Sequence, residues 1–230
     1  MLKTIKHFPL FFFFLVLLFI TGISFCICTS KLDSFTSLNL YHPAWLDHFF
    51  SYYTLMGDGM ICMAAIVLLF LFKKKKAALI LFVAYLTSGL IVQLLKRIIF
   101  QPRPSLYFDQ ISFHYDHFVD GIEPLRSGSF PSGHTASAFA MATVLVLCLK
   151  KKKISLLCLL TAVLVGYSRI YLGQHFLQDV IAGGITGCIF ALLSYYLIQQ
   201  AKPFKSFKAL KRTQPAYAQT PEQEYIQTIR

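Results

Sequence analysis

An all-α integral membrane protein, a helical bundle of six transmembrane helices with both termini cytoplasmic, is the fold class predicted by this sequence. Three observations predict it. Hydrophobic residues make up 56% of the chain and charged residues only 14%. Continuous apolar runs recur from one end to the other, which excludes a single soluble domain and the alternating pattern of a membrane barrel. The basic residues sit in short blocks between those runs. The formal net charge of +12 therefore reads as a topology signal, and no nucleic-acid partner is expected.

The first segment, Phe8–Cys28, follows Lys3, Lys6 and His7 and resembles the basic and apolar parts of a signal peptide. Its apolar run exceeds the roughly 7–15 residues usual there, and no A-x-A-like site follows, so it is expected to stay as the first membrane helix. The other five segments run Leu55–Phe72, Ala77–Leu95, Thr135–Leu149, Ile154–Tyr171 and Phe176–Ile198. A crossing needs about 20 residues, so the short fourth segment is expected to start at Ser132 or Gly133. The membrane domain spans residues 1–200. Residues 201–230 read as a polar cytoplasmic tail with little fixed structure and no assigned function.

Orientation follows from the lysines. With six spans, Lys3 and Lys6, the block Lys73–Lys76, the block Lys150–Lys153 and the tail residues Lys202, Lys205, Lys208, Lys211, Arg212 and Arg230 all fall on one side. That side holds 16 of the 22 basic residues, which makes it cytoplasmic. Three loops remain outside. The first, about Thr29–Thr54, carries Tyr41, Trp45, Tyr52 and Tyr53, an aromatic belt expected to lie partly along the membrane surface. The second is about Lys96–Pro131, and the third, Ser168–His175, is very short. The six cysteines lie in or beside apolar runs and read as buried free thiols.

The topology gathers the rare polar residues on the outer face. Lys96, Arg103 and Arg169 supply three cations suited to phosphate oxygens. Ser132, Gly133 and His134 stand where a helix begins, where backbone N–H groups favour an anion. His175 and Asp179 are four apart and are expected to share a helical face, the carboxylate orienting the imidazole as a nucleophile. An Asp inside an apolar helix is a functional hypothesis by default. His134 is the candidate general acid. The pattern points to phosphoryl transfer. Asp58, between Gly57 and Gly59, is expected either to cap a helix or to line the pocket. His114 and His117, with Asp109, Asp116 and Asp120, read as solvated loop residues in preference to a metal cluster. Arg126 is a weak headgroup candidate, and His42 and His48 read as interfacial loop residues.

Lys96, six residues, Arg103-Pro104, then Pro131-Ser132-Gly133-His134, then Ser168-Arg169, five residues, His175, three residues and Asp179: this order and spacing resembles the three signature motifs of the type 2 phosphatidic acid phosphatase superfamily, which includes vanadium haloperoxidases. The resemblance implies a lipid phosphatase of the membrane-bound branch in a bacterial inner membrane. His175 would be its phosphohistidine nucleophile, Asp179 the orienting group and His134 the acid. Lys96, Arg103, Ser132, Gly133 and Arg169 would hold the phosphate. It implies no cofactor and no metal, in keeping with the lack of an acidic cluster for Mg²⁺ in the sequence. The expected partner is a phosphorylated membrane lipid, undecaprenyl diphosphate first, then lipid A phosphate, phosphatidylglycerophosphate or phosphatidate. An anionic-lipid transporter is the competing class, and halide oxidation the other chemistry of the superfamily. Oligomeric state is not legible.

Overall fold

The computed structural model describes residues 6–201, and all regular structure among them is helical, with no strand. The expected tail from Ala201 lies outside the described residues apart from that first position. In chain order the helices are α1 (Pro9–Cys28), α2 (Lys31–Leu38), α3 (Ala44–Tyr53), a 3₁₀ turn (Thr54–Gly57), α4 (Gly59–Leu71), α5 (Lys75–Ile98), α6 (Pro104–Gln110), α7 (Gly133–Leu149), α8 (Lys152–Tyr171) and α9 (Leu177–Gln200).

Each expected segment corresponds to a helix, yet they are not six equal crossings. Four helices, α1, α5, α8 and α9, are long and apolar enough to span a bilayer. A fifth span exists if α3 with its 3₁₀ turn and α4 are counted as one broken segment, bent by 53°. The break is at Asp58, whose extended backbone (φ −67°, ψ 147°) stops one helix and whose side chain caps the next by accepting from Met60 N. Apolar content alone carried the expected segment straight through this position, because glycines flank a single charge. Helix α7 has 17 residues. At about 1.5 Å per residue it is shorter than a hydrocarbon core of about 30 Å.

The helices sort their surfaces as a bundle in lipid does. Leu10, Phe13 and Ile20 on α1, Leu90 and Leu94 on α5, and Leu157 and Leu160 on α8 are exposed. So much contiguous apolar surface requires an apolar solvent. Small residues face inward instead. Helix α7 is central, packed against α8, α5 and α4. It turns buried Ala136, Ala140 and Thr143 toward its neighbours. Against it α9 sets Gly183 and Gly187. A Cβ on Gly183 would collide with the Ser132 carbonyl oxygen, and one on Gly187 with the Ala136 carbonyl oxygen. Without a hydrophobic force between helices in lipid, such backbone approach is what lets dispersion hold them together.

Outside the bundle, the first and second outer loops fold into a cap. Phe35 of α2, Phe108 of α6 and Phe176 before α9 are buried together, with ring centroids 5.1 Å (Phe35–Phe108) and 5.7 Å (Phe35–Phe176) apart. His42, expected in an interfacial loop, is instead enclosed, stacked 4.2 Å from Tyr171 with Asp47 3.4 Å from its Nδ1. Sequence position could not reveal this, because the partner Tyr171 comes from the far end of α8.

Replacing Gly187 with Leu should force α7 and α9 apart. Overpacking against backbone is expected to cost about 3 kcal/mol or more, above the range of ordinary core overpacking. Thermal unfolding of detergent-purified protein should show a Tm several degrees lower, while Leu157→Ala on the lipid face leaves it nearly unchanged.

Candidate active site

Five segments converge at the end of the bundle opposite the lysine hairpins Lys73–Lys76 and Lys150–Lys153. They are the last turn of α5, the loop before α6, the first turn of α7, the last turn of α8 and the turn into α9. That turn is set by Arg169, whose carbonyl oxygen accepts from both Gln174 N and His175 N at 3.0 Å. Gly173 supplies its left-handed residue (φ +64°).

His175 and Asp179 meet, but not as expected. Helix α9 begins at Leu177, so His175 precedes it and the two do not share a helical face. Asp179 instead works as part of the helix start. Its Oδ2 accepts from Phe176 N at 2.9 Å, while Asp179 N donates to the Phe176 carbonyl oxygen at 3.0 Å. This reciprocal cap folds the chain back so that His175 Nδ1 stands 3.6 Å from Asp179 Oδ2, just beyond hydrogen-bond length. Ser129 donates a second bond to the same oxygen at 2.5 Å, and Ser132 N donates to the Asp179 carbonyl oxygen at 2.9 Å. The second outer loop, α7 and α9 are thus tied at one residue that is wholly buried.

The three expected cations are also brought to this end. Arg103 is buried and spans the site: Nε donates to the Ser127 carbonyl oxygen at 2.9 Å, and one terminal nitrogen donates to the carbonyl oxygen (3.0 Å) and side-chain oxygen (3.1 Å) of Gln174. Arg169 donates to Thr54 Oγ1 at 2.7 Å, and its Nε has no partner though buried. Lys96 donates to the Gly128 carbonyl oxygen at 2.8 Å. Among the described residues none of the three has a carboxylate in ion-pair contact. Three cations held by neutral oxygens, one with an unused buried N–H, leave an anion-shaped deficit that phosphate oxygens fit.

Ser132 caps α7 by accepting from Thr135 N (3.4 Å) and Thr135 Oγ1 (2.8 Å). Its own amide is spent on Asp179, so the first-turn amides left for an anion are those of Gly133 and His134. His134 lies nearer the mouth, with its side chain 33% exposed against 2% for His175. The site is therefore graded, with a sealed imidazole at its floor and a half-open one at its entrance. Burial holds the His175 imidazole well below its ordinary range, and Arg103 and Arg169 push the same way while Asp179 opposes them. At neutral pH the ring is uncharged, which keeps a nitrogen lone pair available.

Sequence reasoning missed Ser129, Thr54 and Gln174. Each is a common loop or helix-end residue with no spacing signal, and only the fold sets it against Asp179, Arg169 or Arg103. The alternatives for Asp58 turn out to be joined. Oδ1 caps α4 through Met60 N at 2.8 Å, and Oδ2 stands 4.0 Å from His134 Nε2. Arg126 pairs with Asp109 at 2.8 Å on the exposed face instead of entering the site, although its carbonyl oxygen accepts from Arg103 N. His114 and Asp116 pair at 2.7 Å, both largely exposed. Among the described residues no group of three or more His, Cys, Asp or Glu is placed to hold a metal ion.

Two measurements check this geometry. Histidine ¹⁵N spectra in micelles should show the His175 ring neutral from pH 8 down to about pH 5, below the free imidazole value of about 6.5. Arg103→Lys should weaken inhibition by inorganic vanadate roughly tenfold or more, since a point charge cannot reach Ser127 and Gln174 while facing the anion.

Comparison with known proteins agrees with the geometry. The chain resembles the crystal structure of Aquifex aeolicus LpxE, with a TM-score of 0.64 and 35% identity over 72% of this chain and 94% of that one. It is 27% identical to the undecaprenyl-diphosphatase of Sulfolobus acidocaldarius over 78% of this chain and 84% of the relative. It is 33% identical to the lipid A 1-phosphatase of Rhizobium johnstonii, where the match spans 50% of this chain and only 45% of the relative. The relatives are phosphatases by name, which supports hydrolysis of a phosphate monoester or diphosphate. The sequence model of the PAP2 superfamily matches residues 77–203, more than half of the length and all of the site segments just described, so the chain belongs to the PAP2 superfamily.

Proposed function

We propose that this chain removes a terminal phosphate from a membrane lipid, without a metal, at the outer face of a bacterial inner membrane. The observation that carries the reading is a buried His175 backed by Asp179, at the end of the bundle that also gathers three cations lacking carboxylate partners. With Nδ1 toward Asp179, Nε2 attacks phosphorus while Lys96, Arg103, Arg169 and the first-turn amides of α7, Gly133 among them, hold the non-bridging oxygens. The Ser132 hydroxyl adds a donor. The P–O bond to the lipid breaks as the P–N bond forms, and His134 gives its proton to the leaving oxygen. Asp179 balances the charge that develops on His175. In the second step His134 takes a proton from water, which displaces phosphate from the phosphohistidine. The local positive charge from three side chains serves where a metal would otherwise be needed.

The positive-inside count supports an external site, with the lysine hairpins at Lys73–Lys76 and Lys150–Lys153 opposite to it. Both hairpins turn through a left-handed lysine, Lys73 (φ 59°) and Lys150 (φ 54°). The lipid chain would stay among the exposed apolar helix faces while its phosphate enters the site. Undecaprenyl diphosphate remains the first candidate, supported by the long match to the Sulfolobus enzyme. Lipid A phosphate stands beside it, supported by the identity with the rhizobial enzyme.

Phosphate release from purified undecaprenyl diphosphate, lipid A, phosphatidylglycerophosphate and phosphatidate in detergent, with EDTA present, is the direct test. One substrate should dominate, and chelation should leave its turnover within about twofold. His175→Ala should lower kcat by about 10⁴-fold or more, the scale on which a nucleophile is lost. Substantial turnover by that variant would sink the mechanism, and retained lipid transport without hydrolysis would favour the carrier reading.

A further inference from the structure

The broken second segment delivers Asp58 to the mouth of the site. We infer that Asp58 is a positioning residue for His134, holding its ring in the protonated form needed to release the lipid oxygen. This rests on the phosphatase reading above.

The geometry of the break argues for it. Asp58 sits between Gly57 and Gly59, and each glycine is in close contact. A Cβ on Gly57 would stand 2.9 Å from the His134 carbonyl oxygen and 3.1 Å from His134 Cβ. One on Gly59 would strike the Tyr85 hydroxyl. The chain is therefore pressed against His134 on one side and α5 on the other, with Asp58 between. The cap then sets the carboxylate. With Oδ1 bound to Met60 N at 2.8 Å, the rotamer is fixed and Oδ2 is left 4.0 Å from His134 Nε2. That is ion-pair distance for an imidazolium. The same break serves the phosphate end of the site, because Thr54, four residues earlier, holds Arg169.

Charge gives the pair its purpose. Lys96 from α5, Arg103 from the loop before α6 and Arg169 from α8 are gathered at the same end of the bundle as His134, and positive charges there disfavour a proton on its ring. Asp58 is the one carboxylate within ion-pair distance of it among the described residues. A general acid surrounded by three cations needs an anion of its own, or it arrives deprotonated. With Asp58 at Nε2–H, the opposite nitrogen Nδ1 carries the proton that goes to the leaving oxygen. After transfer Nε2–H stays with Asp58, and Nδ1 takes the proton from water in the second step. A residue that only capped α4 would not need a charge, since Asn and Ser cap equally well.

Asp58→Asn separates the two roles, because its amide oxygen can still accept from Met60 N. The variant should elute and melt like the parent protein. For a lipid phosphate, whose leaving alkoxide needs a proton, kcat/KM at pH 7.5 should fall about tenfold. The alkaline limb of its pH profile should move down by about one unit, the scale of one nearby charge at a half-exposed site. For 4-nitrophenyl phosphate, whose leaving group departs without help, kcat/KM should change by less than about twofold. Asp58→Ser, a second uncharged cap, should repeat the pattern and stands in if the Asn variant misfolds. An unmoved limb, or equal loss on both substrates, overturns the assignment. His175→Ala run alongside keeps the two proposals apart. Activity in that variant defeats the phosphatase mechanism, whereas a dead His175→Ala with an unaffected Asp58→Asn removes only the role of Asp58.

Discussion

A carboxylate buried in the first turn of an apolar helix is the constraint on which the site depends. Asp179 has no exposed surface, and an unpaired charge there would cost several kcal/mol. The fold answers with donors from two directions, Ser129 from the loop and the Phe176 amide from the helix start, and sets His175 Nδ1 3.6 Å away. Its backbone carbonyl oxygen takes the Ser132 amide as well. Satisfying one residue therefore fixes the second outer loop, the start of α7 and the turn before α9 relative to one another. Asp179 Oδ1 and His175 Nδ1 are still without hydrogen-bond partners, so the pair retains capacity that a charged imidazolium would use.

The helix packing serves the same end. Gly183 lies one turn below Asp179 on α9 and is in contact with the Ser132 carbonyl oxygen. A larger residue would separate the two helix starts and lengthen the Ser132–Asp179 bond. The small-residue seam between α7 and α9 is thus both the source of bundle cohesion and the spacer that sets the site. Short α7 and the break at Asp58 act together at the other wall. The 3₁₀ turn packs against α7, and Gly57 lies close to His134, so the break reaches the first turn of α7.

Burial divides the site into two environments. His175 is sealed, which keeps it neutral, and His134 is half-open, where a proton can enter and leave. Two imidazoles of the same chemistry thus sit in environments of different solvent access, each with a carboxylate nearby. The three cations gathered at this end have no carboxylate in ion-pair contact among the described residues, which leaves room for an anion's charge.

The sequence by itself determined the membrane class, the approximate helices, the lysine asymmetry and eight candidate site residues, which the structure gathers at one end of the bundle. Those features are local: apolar run length, charge blocks and motif spacing are written along the chain. It placed His175 and Asp179 on one helical face, and the structure instead joins them through a turn and a reciprocal cap, because α9 starts at Leu177, after His175. It read Leu55–Phe72 as one run, since a single Asp between glycines barely lowers mean hydropathy. Ser129, Thr54 and Gln174 gave no signal, and Asp58 gave one that pointed two ways. Only the tertiary structure decided these, for a physical reason. Each matters through a partner 40 or more residues away, and which donor meets which buried acceptor depends on how closely the helices pack.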